Sequence, residues 1–154
     1  MPAGSDPGLD VPPLPQVWRP LGPRVVGIVL GAALLVVFGF AWFGLTDRAR
    51  AGFTPFQIGT VIFLLGLGVG CIHAIVRSKV EATTEALVVV NGYKRRRYDW
   101  AQVIGVHLPP GAPWVTLDLT DGSTVSAMGI QGSDGARARA AARDLRALVE
   151  ARSA

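Results

Sequence analysis

VVGIVLGAALLVVFGFAWFGL (residues 25–45) and IGTVIFLLGLGVGCIHAIV (residues 58–76) decide how the rest of the chain is read. The first run has 21 residues without a formal charge. As a helix rising ~1.5 Å per residue it is ~31 Å long, against a hydrocarbon core of ~30 Å. The second run has 19 residues, and its ionisable side chains are Cys71 and His73. A polar turn around Asp47, Arg48 and Arg50 separates the two. Together they predict a transmembrane helical hairpin over residues 25–76. Gly39-Phe40-Ala41 has the small-x-small form of a leader cleavage site. The apolar core is longer than the ~7–15 residues of a secretory leader and a second span follows, so the run is read as an anchor that stays.

Two spans place both termini on one side of the membrane. Arg19, Arg24, Arg77 and Lys79 flank the hairpin on that side, while Arg48 and Arg50 lie in its loop. The positive-inside bias therefore predicts a plasma-membrane protein with the N-terminus and the C-terminal domain in the cytoplasm. Gly27 and Gly31 form a GxxxG in the first span, as do Gly66 and Gly70 in the second. Such spacing lets helix backbones approach closely, either within the hairpin or between copies, so homo-oligomerisation through these glycines is one expectation. His73 has no Asp, Glu or Lys in either span to pair with. It is read as a neutral residue near the interface, and a channel or transporter subunit is the least favoured reading.

Composition narrows the remaining classes. From Lys79 to the end, ten Lys and Arg face eight Asp and Glu. That balance, without stacking aromatics beside the basic residues, excludes a nucleic-acid module. The excess of 13 Arg over 2 Lys follows an Ala/Gly/Val-rich, GC-biased composition and carries no functional weight. One cysteine excludes an intrachain disulfide and CxxC metal clusters. No cofactor or metal ligand set is read from the sequence.

Residues 1–24 hold seven prolines and are expected to be an extended or disordered tail. Pro12-Pro13-Leu14-Pro15 has the form of a polyproline II ligand, although a linker is the plainer reading. Trp18 and Arg19 precede the first span as interfacial anchors.

Residues 79–154 predict a small α+β domain. A short strand at residues 80–83 opens it. Residues 86–91 and 93–100 then flank Asn91-Gly92, whose two positive φ angles would make a type I′ hairpin. Residues 103–108 form another strand, with Ile104 and Val106 facing opposite His107. A rigid loop, Pro109-Pro110-Gly111-Ala112-Pro113, follows. Residues 114–120 alternate with Val115, Leu117 and Leu119 on one face, and Asp121-Gly122 turns the chain into residues 123–128. Ala138, Ala141, Ala142, Leu145, Leu148 and Val149 then follow helical spacing, with Ser133 or Asp134 as N-cap. Arg139, Arg143 and Arg146 fall on the opposite, solvated face.

The order of a strand hairpin, Tyr98-Asp99-Trp100-Ala101-Gln102-Val103-Ile104, a second hairpin and a final helix resembles the bacterial PH domain family. Leu108-Pro109-Pro110-Gly111 with Trp114, Leu117-Asp118-Leu119 with Asp121-Gly122, and Met128-Gly129-Ile130-Gln131 carry the match. With two spans in front, the chain is similar to short actinobacterial membrane proteins, some labelled low-molecular-weight protein antigens. The resemblance implies a PH-like antiparallel β-barrel or sheet of about six strands, capped by a C-terminal helix and attached to the membrane. It supplies no catalytic residues.

Lys94-Arg95-Arg96-Arg97 is the most conspicuous polar feature of that domain. Alternation along a strand points two of the four each way. They are candidate residues for an anionic lipid or partner, against the plainer role of charges that protect a sheet edge. Trp100 and Trp114 are read as partly buried anchors. His107 stands without a nucleophile in any recognisable arrangement, so no enzyme is expected. The leading expectation is a membrane-anchored PH-like interaction module binding a protein or peptide partner at the cytoplasmic face. The alternative is a binder of anionic lipid headgroups through the basic hairpin.

Overall fold

The computed structural model describes residues 11–152. The chain divides into two units, the helical segment Gly22–Val76 and a domain that joins the segment ending at Leu21 to the one beginning at Arg77.

In the first unit, α1 (Gly22–Gly44) and α3 (Pro55–Arg77) each have 23 residues and bury none of their apolar window within the protein. Both are long and apolar enough to cross a membrane. α3 begins at Pro55, not at residue 58, because of local chemistry. Proline suits a first helical turn, and Thr54 and Gln57 cap it reciprocally. The Thr54 N–H donates to Gln57 Oε1 at 2.9 Å, and the Gln57 N–H donates to Thr54 Oγ1 at 3.3 Å. Between them, α2 (Asp47–Ala51) is capped by Thr46 and carries an Asp47–Arg50 ion pair at 2.8 Å. Gly27 and Gly31 face Ile72 of α3: a Cβ on Gly31 would stand 3.0 Å from Ile72 Cδ1. The first GxxxG therefore serves packing inside the hairpin.

The second unit contains two antiparallel sheets and one helix. β1 (Gln16–Trp18), β2 (Lys79–Ala82), β3 (Ala86–Asn91) and β4 (Lys94–Asp99) form one sheet in that order. β5 (Val103–His107), β6 (Trp114–Leu119) and β7 (Thr124–Gln131) form the other. α4 (Ala136–Arg152) packs its buried residues Ala138, Ala141, Ala142, Leu145, Leu148 and Val149 on the core between the sheets. The sheets do not close into a barrel, because the one-turn helix Trp100–Gln102 separates β4 from β5 without a ladder between them.

Several local expectations change. Part of the proline-rich segment, expected as an extended or disordered tail, is an edge strand: Gln16, Val17 and Trp18 pair with Ala82, Glu81 and Val80. Proline is compatible with a sheet edge, and Pro15 and Pro20 bracket the strand. Residues 1–10 of the expected tail lie outside the described residues. The first hairpin turn is not type I′. Asn91 pairs with Lys94, and Gly92 (φ 60°) is followed by Tyr93 without a positive φ, the type II′ pattern. Released from the turn, the Asn91 side chain bridges the sheets. Its Nδ2–H donates to the Ser126 carbonyl at 2.5 Å, and its Oδ1 accepts the Met128 N–H at 3.0 Å. A bulge between Val103 and Gly105 turns Ile104 outward, so it does not share the face of buried Val106. α4 starts after Gly135, while Asp134 Oδ2 accepts the Leu21 N–H at 2.8 Å. Arg146 stays exposed with the expected solvated stripe, and its Nη2–H also donates to the Val106 carbonyl at 2.9 Å.

Gly129 is where β7 crosses β2. A Cβ there would lie 2.4 Å from the Lys79 carbonyl carbon and from the Val80 nitrogen, both rigid backbone atoms. Gly129→Ala is expected to cost about 3 kcal/mol or to prevent folding of the domain. Urea unfolding of the detergent-solubilised chain, followed by tryptophan fluorescence, measures this. Stability equal to that of the exposed Thr124→Ala control would contradict the crossing.

Candidate functional site

Strand β4 positions the basic run. The ladder sets Arg95 opposite Val90 and Arg97 opposite Val88, with Lys94 and Arg96 opposite Asn91 and Val89. All four side chains are exposed. They nevertheless fall into different surroundings. Arg97 Nη2 pairs with Glu85 Oε2 at 2.9 Å, a surface contact worth little. Val88 and Val90, on the outer face of β3, are only 4 and 5% exposed. The stems of Arg97 and Arg95 on one side, and Glu81 and Lys79 on the other, flank them in the ladder and shield them from water.

Arg95 joins a hollow of about 260 Å³ lined by Arg19, Arg77, Lys79, Val90, Tyr93 and Arg95. Each residue arrives by a different local rule. Arg19 follows β1, Arg77 ends α3, and Lys79 starts β2. The tight Gly92-Tyr93 turn brings Tyr93 and Arg95 to the same end of the sheet. Lys79 Nζ is ion-paired with Glu81 Oε1. Among the described residues, Arg19, Arg77 and Arg95 have no carboxylate partner. Four cations around one concave surface, three of them planar guanidinium forks, match the oxygen geometry of phosphate or a carboxylate.

Sequence reasoning singled out Arg95 but took Arg19 and Arg77 only as charges that orient a hairpin. The two are 58 positions apart in the chain, and only the β1–β2 ladder makes them neighbours. Lys94 and Arg96 lie outside the hollow.

The remaining candidates take structural places. Trp100 is 5% exposed and its Nε1–H donates to the Thr83 carbonyl at 3.1 Å. Trp114 is half-buried at the start of β6. His107 Nε2 lies 2.7 Å from Asp118 Oδ2 on the solvent face of the three-stranded sheet, where Gly105 leaves the room for both. No three His, Cys, Asp or Glu side chains gather as metal ligands among the described residues. A second hollow of about 420 Å³ lies between the Leu108–Pro113 loop and Gly132, Ser133, Gly135 and Arg139 at the start of α4.

Residues 77–148 match the family model described as "Bacterial PH domain". Uncharacterized proteins of two Mycobacterium tuberculosis strains and of Mycobacterium bovis are each 29% identical to the chain over 135 residues. Those alignments cover 86% of this chain and 84% of each relative, and so reach well into the helical segment. No solved structure matches significantly.

Glu81 is the carboxylate that restrains Lys79 at this site. Glu81→Gln frees that ammonium and is expected to tighten the binding of inorganic phosphate, by up to ~5-fold if one full cation is released. Titration followed by ³¹P line broadening reads the change. Unaltered or weaker binding would show that the hollow does not act as a cationic site.

Proposed function

We propose that this PH-like domain is a non-enzymatic, membrane-anchored module that holds the phosphate of an anionic lipid headgroup in the hollow of Arg19, Arg77, Lys79 and Arg95. The observation that carries the reading is that these cations bracket the points where the chain leaves and rejoins the domain. Arg77 is the last residue of α3, and Arg19 lies three residues before α1. Chain connectivity alone keeps both at the level of the headgroups once the two helices are in a bilayer. There, each Lys or Arg attracts anionic lipid by about 1 kcal/mol. Tyr93, 62% exposed beside the hollow, adds an amphipathic ring of the kind that settles at the headgroup level.

The same connectivity supports the proposed topology. β1 precedes α1 and β2 follows α3, and the two strands pair, so both ends of the hairpin belong on one side of the membrane. The excess of flanking arginine and lysine supports the cytoplasm as that side. Loss of α1 as a leader would remove β1 from the sheet.

A protein or peptide partner is the second reading. The hollow beside the Leu108–Pro113 loop, outside the basic site, favours it. Strand addition along β4 is disfavoured, since four exposed charges line that edge. Crosslinking in native membranes tests it: a partner recovered through residues 108–113 supports the second reading, and recovery unaffected by substitutions there removes it.

For the lipid reading, the full chain is reconstituted in nanodiscs of mixed neutral and anionic phospholipid, and the lipid retained after detergent exchange is measured by mass spectrometry. Arg77→Gln with Arg95→Gln is expected to lower anionic enrichment roughly thirtyfold, as the loss of two such cations implies. Lys94→Gln with Arg96→Gln should change it by less than about threefold. Equal effects of the two pairs would mean a diffuse charged surface and not a site. A reporter fused after residue 154 should be active only in the cytoplasm, and extracytoplasmic activity would reverse the orientation.

A further inference from the structure

We infer that the anion in the basic hollow is also the lock that holds strand β1 on the domain, so that bilayer charge controls whether the N-terminal segment is docked. The inference rests on the lipid reading above and adds a regulatory consequence to it.

β1 is a three-residue edge strand, joined to its neighbour β2 through the whole of residues 19–78 and not through a tight turn. Short ladders closed over long connections hold weakly, because little local structure offsets the cost of bringing their ends together. Trp18 and Leu14 pack against the core, Pro20 is buried, and the Leu21 N–H reaches Asp134. Docking β1 also brings Arg19 into a hollow already occupied by Arg77 and Lys79 from the β2 side and by Arg95 from β4. Among these cations, only Lys79 has a carboxylate, from Glu81, among the described residues.

The sign of the coupling follows. In a neutral bilayer, Arg19 docks beside Arg77 and Arg95, two cations with no carboxylate partner among the described residues, and the electrostatic contribution opposes the ladder. With an anion seated, its charge offsets much of that repulsion and gives the Arg19 guanidinium a direct partner in the hollow. Anion binding and strand docking therefore stabilise each other by the same factor. Undocking would bare the edge of β2 and the seat of Trp18 beside Gly129, Ile130, Ala138 and Ala141.

Hydrogen–deuterium exchange of the full chain in nanodiscs tests this, with retained lipid measured on the same samples. The peptide spanning Gln16–Trp18 should exchange about tenfold more slowly in bilayers holding anionic phospholipid at ten times its dissociation constant than in phosphatidylcholine alone. In Arg19→Gln the two bilayers should give rates within twofold of each other. Equal rates in the native chain, with anionic lipid retained, would overturn the lock and leave the lipid site standing. Equal rates without retained anionic lipid would overturn both. A full tenfold effect in Arg19→Gln would show that the protection does not run through the hollow, and would overturn the inference.

Discussion

The ladder between Gln16–Trp18 and Val80–Ala82 constrains where every other part of the chain can go. Its two strands flank the helical segment in sequence, so the pairing draws the start of α1 and the end of α3 toward one edge of one sheet. The hairpin thus lies in the sequence between two paired strands of one sheet. An anchor attached by one linker would let the domain swing freely. This one is attached at both ends, with three residues between β1 and α1 and one between α3 and β2.

That constraint gathers the charge. Arg19 and Arg77 would be ordinary hairpin-flanking residues on a chain without the ladder. Paired strands bring them together with Lys79, and the type II′ turn at Gly92-Tyr93 delivers Arg95 from the other side. Unpaired cations on a protein surface repel one another, and a domain gains nothing in stability by concentrating them. Beside a bilayer the same concentration is a means of retaining anions, which is why the hollow, and not the whole basic strand, carries the proposed function. The core below is independent of this choice. Leu87, Val89, Leu117 and Leu145 would pack identically whatever occupies the hollow.

The sequence makes some of this legible and hides the rest for identifiable reasons. Apolar runs longer than a bilayer are self-evident, and so are the spacing of Ala138, Ala142, Leu145 and Val149 and the alternation of Val115, Leu117 and Leu119. These patterns depend on neighbours a few residues away. β1 escapes notice because its three residues sit among prolines and its partner strand starts more than sixty positions later. Asn91-Gly92 signals a hairpin correctly and its geometry incorrectly, since Asn91 has a better use: its amide mimics a strand backbone toward Ser126 and Met128. The bulge that exposes Ile104 interrupts a period-two pattern that the sequence carries without a break. Within the site, Arg95 is visible as one of four basic residues, but what separates it from Lys94 and Arg96 is a register that only the pairing of β3 and β4 sets.

The insertion of the hairpin between β1 and β2 is the claim on which the site, its topology and its regulation all depend, and a crosslink tests it directly. Val17 and Glu81 are Cα partners, close enough across an antiparallel ladder for a disulfide. In a Cys71→Ser background, Val17→Cys with Glu81→Cys should form an intramolecular disulfide nearly completely under mild oxidation in native membranes, and Val17→Cys with Arg97→Cys should not. Both cysteines of the first pair remaining free to alkylating reagent would contradict the ladder and, with it, the gathering of Arg19 and Arg77 into one site.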